Sequence, residues 1–205
     1  MARFFYNFFW LPWRLGLNFF LHLEIESREN LKELSGPLII ASNHLCWADP
    51  FLIGASFPFL ARVFPIRYAC WWKYFYFPLF FFPFSWAFGS FPIRKGIGLE
   101  RALKTALKIL KKGGVVGIFP EGQREWKGIA KPKRGAAFLA IKTNSQILPI
   151  KIEAPLKMYF SKILLRKYKV KVKIGQRFSL PQKQINQPED LNQPSEVIIG
   201  KIREL

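Results

Sequence analysis

Pro37-Leu38-Ile39-Ile40-Ala41-Ser42-Asn43-His44-Leu45-Cys46-Trp47-Ala48-Asp49-Pro50 is the stretch that decides the architecture. Its first five residues, 37–41, form a short apolar run bounded by turn residues, the pattern of a buried strand. Its last two, Asp then Pro, predict a helix start, with Asp49 as the cap and Pro50 at the first helical position. One of the two histidines of the chain, His44, lies between them. On a single helix, residues five apart sit about 140° apart and cannot face one another. Across a strand–loop–helix junction, the loop can fold His44 back onto Asp49. An imidazole with a carboxylate that orients it and stabilises its protonated form is the arrangement a general base needs.

Outward from this junction, strand and helix patterns alternate. Leu21 to Glu26 alternates apolar and polar residues as a first strand, and Pro50 to about Ala55 reads as a helix. Residues 64–69 form another candidate strand, residues 70–88 read as broken amphipathic helices, and Gly89 to Arg94 is a turn with a short extended piece. From Leu99 to Lys112, apolar residues at helical spacing make one face, and Gly113-Gly114 ends it. Val115 to Phe119, Ile147 to Ile152 and 168–174 read as strands, Gly135 to Thr143 as a helix, and Pro194 to Leu205 as a last helix. The Gln-, Asn- and Pro-rich segment Pro181 to Pro194 reads as a mobile linker. The expected fold class is therefore α/β, with a mixed, mostly parallel central sheet flanked by helices and ligand-binding residues at strand ends.

Composition narrows the surroundings. A chain of 205 residues fits one domain, and 50% hydrophobic residues argue against disorder. Of the 35 aromatic residues, 15 fall in residues 64–91, and Phe4 to Phe20 forms a second cluster. One core does not need so many rings, so part of this surface is expected to meet something apolar. Residues 94–205 hold 25 Lys and Arg against 8 Asp and Glu, which carries +17 of the net +19. Such an excess implies an anionic partner. Aromatic clusters beside a basic half favour an anionic membrane surface, and no nucleic acid is expected, because unbroken runs such as Phe80-Phe81-Phe82 seldom serve it. Two cysteines without CxxC spacing suggest a reduced compartment, and hence the cytoplasmic face of a membrane. The first 23 residues are apolar but interrupted by Asn7, Pro12, Arg14 and Asn18. They are read as one or two helices lying in, or dipping into, one leaflet, broken at Pro12. The alternative is a helix folded onto the body of the protein.

Three further segments accompany His44 and Asp49. Gly89-Ser90-Phe91-Pro92-Ile93-Arg94 places an arginine at the end of an apolar stretch. Val116-Gly117-Ile118-Phe119-Pro120-Glu121-Gly122-Gln123-Arg124 is a buried strand opening into a loop with a carboxylate, a glycine and an arginine. Ile147-Leu148-Pro149-Ile150 is a strand expected to pack nearby. Arg94 and Arg124 each offer a planar fork to a phosphate, and Gly122 allows backbone to approach a ligand closely. Glu121 can accept from a substrate hydroxyl or hold an arginine. Cys46 is either a nucleophile or a small buried residue, and His22 is an interfacial or core side chain. Lys167, Lys169, Lys171 and Lys173 alternate on one strand face, either as a solvated edge or as contacts to anionic lipid.

In these blocks the chain resembles the phospholipid/glycerol acyltransferase family. The family's Asn-His, four residues, Asp is matched by Asn43, His44 and Asp49, and its arginine-ending block by Gly89 to Arg94. Phe-Pro-Glu-Gly-x-Arg is matched by Phe119 to Arg124, the proline-centred block by Ile147 to Ile150, and the basic-Gly helix start by Lys133 to Ala137. Where the family commonly continues Thr-Arg-Ser, Gln123 and Glu125 flank Arg124 here.

The resemblance implies membrane-associated O-acyl transfer to 1-acyl-glycerol-3-phosphate, giving phosphatidic acid. It makes residues 1–23 the interfacial helices and residues 24–205 the acyltransferase domain. It implies His44 and Asp49 as catalytic residues and Arg94, Glu121, Gly122 and Arg124 as the substrate-binding set, with no metal and no cofactor. Acyl-CoA or acyl carrier protein would be the donor co-substrate and a lysophospholipid the acceptor. Another lysophospholipid, glycerol 3-phosphate or an acylated amino-acid lipid remains open as acceptor. A non-enzymatic lipid- or nucleic-acid-binding module is the alternative of a different class.

Overall fold

The computed structural model describes residues 2–46, 48–71, 89–94, 96–123, 131–155 and 166–205. The broken helices expected over 70–88 fall almost wholly outside the described residues, as do Arg124 and Glu125. Strand β2, Leu38–Ser42, is buried along its whole length. Its side chains divide by the two-residue period: Leu38 and Ile40 enter one hydrophobic cluster, Ile39 and Ala41 the other. A strand apolar on both faces belongs in the middle of a covered parallel sheet, and β2 lies there. Among the described residues seven strands form the sheet: β1 (Leu23–Glu26), β2, β3 (Ile66–Trp71), β4 (Phe91–Ile93), β5 (Val115–Ile118), β6 (Gln146–Glu153) and β7 (Val170–Ile174). They run in the order β1-β7-β6-β2-β5-β3-β4, with only the β6–β7 pair antiparallel. The mixed, mostly parallel sheet expected from the sequence is present.

Helices cover both faces. One cluster packs α1 (Ala2–Leu21) and α2 (Asp49–Ser56) on the sheet. The other packs α3 (Leu99–Ala102), α4 (Lys104–Lys111), α5 (Gly135–Thr143) and α6 (Asn192–Arg203) on the opposite face. The single helix expected over 99–112 is two pieces joined at Leu103, whose backbone (φ −103°, ψ 10°) leaves the helical basin. The predicted stop is built as a paired C-terminal cap: Gly114 N–H donates to Ile109 O and Gly113 N–H to Leu110 O, both at 2.9 Å, with Gly113 at φ +72°.

Three expectations are corrected. Pro12 does not break the first helix; it lies inside α1, on its exposed side. Tertiary contacts on both sides of it hold the helix together. Tyr6 O–H donates to Ile66 O at 2.7 Å, Trp10 Nε1–H to Phe57 O at 3.0 Å, and the Arg14 guanidinium to Ala55 O. Next, of the alternating lysines only Lys171 and Lys173 lie on a strand, and it is not an edge: β7 is paired between β1 and β6. Its lysines face carboxylates on those neighbours, Lys171 with Glu26 at 2.8 Å and Lys173 with Glu153 at 2.9 Å. Hydrogen bonding to Lys173 holds the Glu153 carboxyl below its ordinary range. Such exposed pairs add little stability, but they spend these cations on cross-strand register. Finally, the end of the 181–194 segment packs on the body, although 181–189 is mostly exposed. Leu191 and Pro194 are buried, Gln182 donates to Asn144 at 3.0 Å, and Asp190 accepts from the N–H groups of Asn186 and Gln187.

Candidate active site

Parallel pairing of β2 with β5, of β5 with β3 and of β3 with β4 brings four strand ends to one edge of the sheet. Asn43 follows β2 and is buried. Its amide replaces a rung of the ladder to β6: Ile152 N–H donates to Asn43 Oδ1 at 2.7 Å, and Asn43 Nδ2 donates to Ile152 O at 2.9 Å. The chain is thus clamped one residue before His44. Sequence reasoning assigned Asn43 no role, because a strut to a strand 109 residues away has no local signal.

His44 and Asp49 meet as the strand–loop–helix reading required. His44 Nδ1 lies 2.7 Å from Asp49 Oδ2. A carboxylate only accepts, so Nδ1 carries the proton and Nε2 is left as the acceptor. Asp49 is fully buried, and the expectation that it caps the helix is corrected. Ala48 occupies the cap position, with no side-chain cap bond, and Asp49 is the first residue of α2. Its carboxylate turns backwards into the loop. Oδ2 also accepts from Leu45 N–H at 2.7 Å and Cys46 N–H at 2.9 Å, and Oδ1 accepts from the Cys46 thiol at 3.2 Å. Reaching back three and four residues satisfies the loop that carries His44.

The imidazole lies flat on Phe119, with ring centroids 4.1 Å apart and planes 14° from parallel. Phe119 in turn stacks against Tyr68 at 5.8 Å. Gly117, on β5, makes room for that ring: a Cβ there would fall 2.2 Å from Tyr68 Cε1. Glu121 is buried, and its Oε2 accepts the backbone N–H of His44 at 2.9 Å. In this structure Glu121 ties the loop after β5 to the loop after β2.

Cys46 is no nucleophile in this setting. Burial, then the charge and hydrogen bonding of Asp49, push its thiol up to about 12, so it stays protonated at neutral pH. Cys46→Ala is expected to keep activity within about threefold of the parent, since a thiol without thiolate character offers no nucleophile. Loss of transfer by two orders of magnitude or more in that variant would restore the nucleophile reading.

A cavity of about 1120 Å³ opens beside the imidazole. On one side its wall is apolar and aromatic, with Phe9, Trp10 and Trp13 of α1 and Phe51 of α2. On the other side it is lined by Arg94, Gly122, Gln123 and Lys133. Arg94 follows β4 and Gly122 follows β5, so two of the sequence-derived candidates share the cavity with His44. Lys133 is an addition. Its backbone N–H donates to Pro120 O at 2.6 Å, and its Cγ lies 3.0 Å from where a Cβ on Gly122 would sit. Gly122, at φ +68°, therefore serves both a left-handed backbone position and the passage of the Lys133 stem. The basic-Gly pattern at 133–135 was its signal in the sequence. Among the described residues no group of three or more His, Cys, Asp or Glu side chains forms a metal-binding cluster.

Residues 22–153 match the family model described as Acyltransferase. The chain belongs to the acyltransferase family. The match begins where α1 ends and stops with β6, so it spans the strands that carry His44, Arg94 and Glu121. Among curated acyltransferases, the chain is 30% identical over 141 residues to a chloroplastic 1-acyl-sn-glycerol-3-phosphate acyltransferase, LPAT1, from Arabidopsis thaliana. It is 29% identical over 154 residues to a 1-acyl-sn-glycerol-3-phosphate acyltransferase from Bacillus subtilis. These alignments cover 64% and 75% of this chain; it spans 36% of the length of the plant relative and 72% of the bacterial one. In fold it is similar to the crystal structure of the 1-acyl-sn-glycerophosphate acyltransferase PlsC from Thermotoga maritima. The TM-score is 0.65 at 22% identity, covering 97% of this chain and 77% of that one.

Proposed function

We propose that this acyltransferase-family protein is a membrane-associated O-acyltransferase. It would move a fatty acyl group from an acyl thioester to the free hydroxyl of 1-acyl-glycerol-3-phosphate, giving phosphatidic acid. The observation that carries this reading is His44, braced by Asp49, on a cavity with an aromatic wall and a cationic side. An acceptor with an acyl chain, a hydroxyl and a phosphate has the same three parts. His44 Nε2 takes the hydroxyl proton as the oxygen attacks the thioester carbonyl, and Asp49 stabilises the resulting imidazolium. The C–O bond forms, the C–S bond breaks, and the proton passes to the departing thiolate. A thiol with a pKa of roughly 8.5 leaves without a separate strong acid. Arg94, Lys133 and the turn at Gly122 hold the phosphate, with Arg124 of the same sequence block as a further candidate, and Glu121 keeps the two loops in register around it.

Membrane association is supported by α1. Tyr6, Trp13 and Leu17 face the core cluster, whereas Phe4, Phe8, Leu11, Leu15 and Phe19 form an exposed stripe, each more than half accessible. The two sets lie about 180° apart round the helix, so α1 is apolar both inward and outward. No helix among the described residues is long and apolar enough to cross a membrane. A helix with one face on the protein and one apolar face outward suits a position along the surface of a bilayer.

The test is acyl transfer from coenzyme A and acyl carrier protein thioesters to a panel of labelled acceptors in mixed micelles. Transfer to 1-acyl-glycerol-3-phosphate above all other acceptors is expected. Preference for glycerol 3-phosphate, a different lysophospholipid or an amino-acid lipid would replace the acceptor, and no transfer to any would remove the enzyme reading. In the same assay Arg94→Ala and Lys133→Ala are expected to raise the acceptor KM by about tenfold each, the scale of a charge-assisted hydrogen bond. An equal loss on an acceptor without phosphate would take them out of the phosphate site.

A further inference from the structure

A second concavity, of about 1000 Å³, lies at the other end of α2. Its walls come from α1 (Trp10 and Arg14), from the stretch 28–35 that precedes β2, and from Ser56–Val63, which leads from α2 to β3. These segments stand at the N-terminal ends of the strands, whereas His44 follows the C-terminal end of β2. The groove is therefore on the opposite edge of the sheet from the catalytic cavity. Four cations line it, Arg14, Arg28, Lys32 and Arg62, against one carboxylate, Glu33. None of the four makes an ion pair among the described residues.

The cations are grouped rather than scattered. Arg14 is held in place by its bond to Ala55 O and by its position over the Trp10 ring, 5.8 Å from the centroid. Burial first, and then the nearby charge of Arg28, lower the Arg14 pKa. The lip is apolar. Phe59 and Leu60 are about half exposed, and Leu60 sits at φ +60°, a costly conformation for a branched side chain. Phe59 packs on Trp10 at 5.5 Å. Of the nine large hydrophobic side chains exposed among the described residues, five form the α1 stripe and two are this lip. An excess of cations over carboxylates, an exposed apolar lip and a neighbouring apolar helix face together suit an anionic bilayer surface, which offers an acyl region and a phosphate layer.

We propose that this groove is a docking site for the phosphate headgroup of an acidic phospholipid in the bilayer, separate from the site of acyl transfer. The proposal rests on the membrane reading of α1. The occupant is a lipid held in the membrane plane, and its role is to fix how the protein sits on an acidic surface. Turnover of an acceptor presented in neutral micelles does not depend on it.

The test is flotation of the full chain with two kinds of vesicle, phosphatidylcholine alone and phosphatidylcholine with one quarter phosphatidylglycerol, at constant ionic strength. Arg28→Gln with Arg62→Gln is expected to lower partitioning onto the acidic vesicles by about 25-fold, at roughly fivefold per basic residue near an anionic surface. Binding to neutral vesicles and turnover in neutral micelles should match the parent. Lys111→Gln with Lys112→Gln, an equal loss of charge at the end of α4 on the other face of the sheet, should leave acidic-vesicle binding within about threefold of the parent. Parental binding by the arginine pair variant, or an equal loss in the lysine control, overturns the groove site and leaves only net charge. Failure of the parent chain to float with either vesicle overturns the membrane reading and this proposal together.

Discussion

His44→Ala is expected to lower kcat/KM for acyl transfer by about 10²- to 10⁴-fold, the range over which positioned general bases contribute. The loss should fall on kcat more than on the acceptor KM, because Nε2 meets the hydroxyl proton only as the transition state forms. The fold should survive. The imidazole lies between Phe119 on its face and Asp49 at Nδ1, but the strand, Asn43 and the Glu121 bond to the His44 backbone stay in place. Steady-state kinetics with a thermal melt on the same samples is the measurement. Activity within threefold of the parent would end the general-base mechanism, whatever the melt shows.

Asp49 separates stability from chemistry through two substitutions. Alanine removes all four hydrogen bonds at once, leaving the N–H groups of Leu45 and Cys46 without their acceptor. Orphaned donors of this kind cost about 1–3 kcal/mol each when buried, and these are part-buried, so a loss of roughly 2–4 kcal/mol is expected by urea unfolding. Asparagine keeps an oxygen for the two backbone donors and should cost only about 1 kcal/mol. It cannot stabilise an imidazolium by charge or hold the ring with Nδ1 protonated as the carboxylate does. Its kcat is therefore expected to fall by about 10²–10⁴-fold, as when an orienting aspartate is neutralised in a serine-protease triad. An Asp49→Asn variant that is stable and fully active would reduce Asp49 to a loop fastener.

Much of this site is legible in local pattern. The apolar run 37–41, the Asp-Pro pair and the spacing of five between His44 and Asp49 are all short-range signals, and they sufficed to pair the two residues. Helix Gly135–Thr143 and the cap at Gly113-Gly114 were equally local, depending on periodicity and on glycine at the helix end. The mistakes have a common cause. Pro12 reads as a helix break because proline removes a donor, yet Tyr6, Trp10 and Arg14 hold α1 to distant backbone carbonyls on both sides of it. The lysines of β7 look like an edge until β1 pairs with that strand from 147 residues away in sequence (Leu23 with Val170). Asp49 looks like a helix cap because the same residue types serve both purposes, and only the direction of its carboxylate tells them apart.

Residue types and short spacings determined the fold class, the blocks of the acyltransferase family and the His44–Asp49 pair, because a strand period, a helix cap and a five-residue return are set within a few residues. Tertiary structure alone decided what surrounds that pair. Parallel pairing of β2, β5, β3 and β4 set their ends along one edge, joining Glu121 to the His44 backbone and Lys133 to the turn at Gly122. The same packing gave α1 an inner and an outer apolar face and gathered Arg14, Arg28, Lys32 and Arg62 round one groove. Those neighbours are far apart in the chain, and only sheet order and helix packing bring their charges and rings within reach.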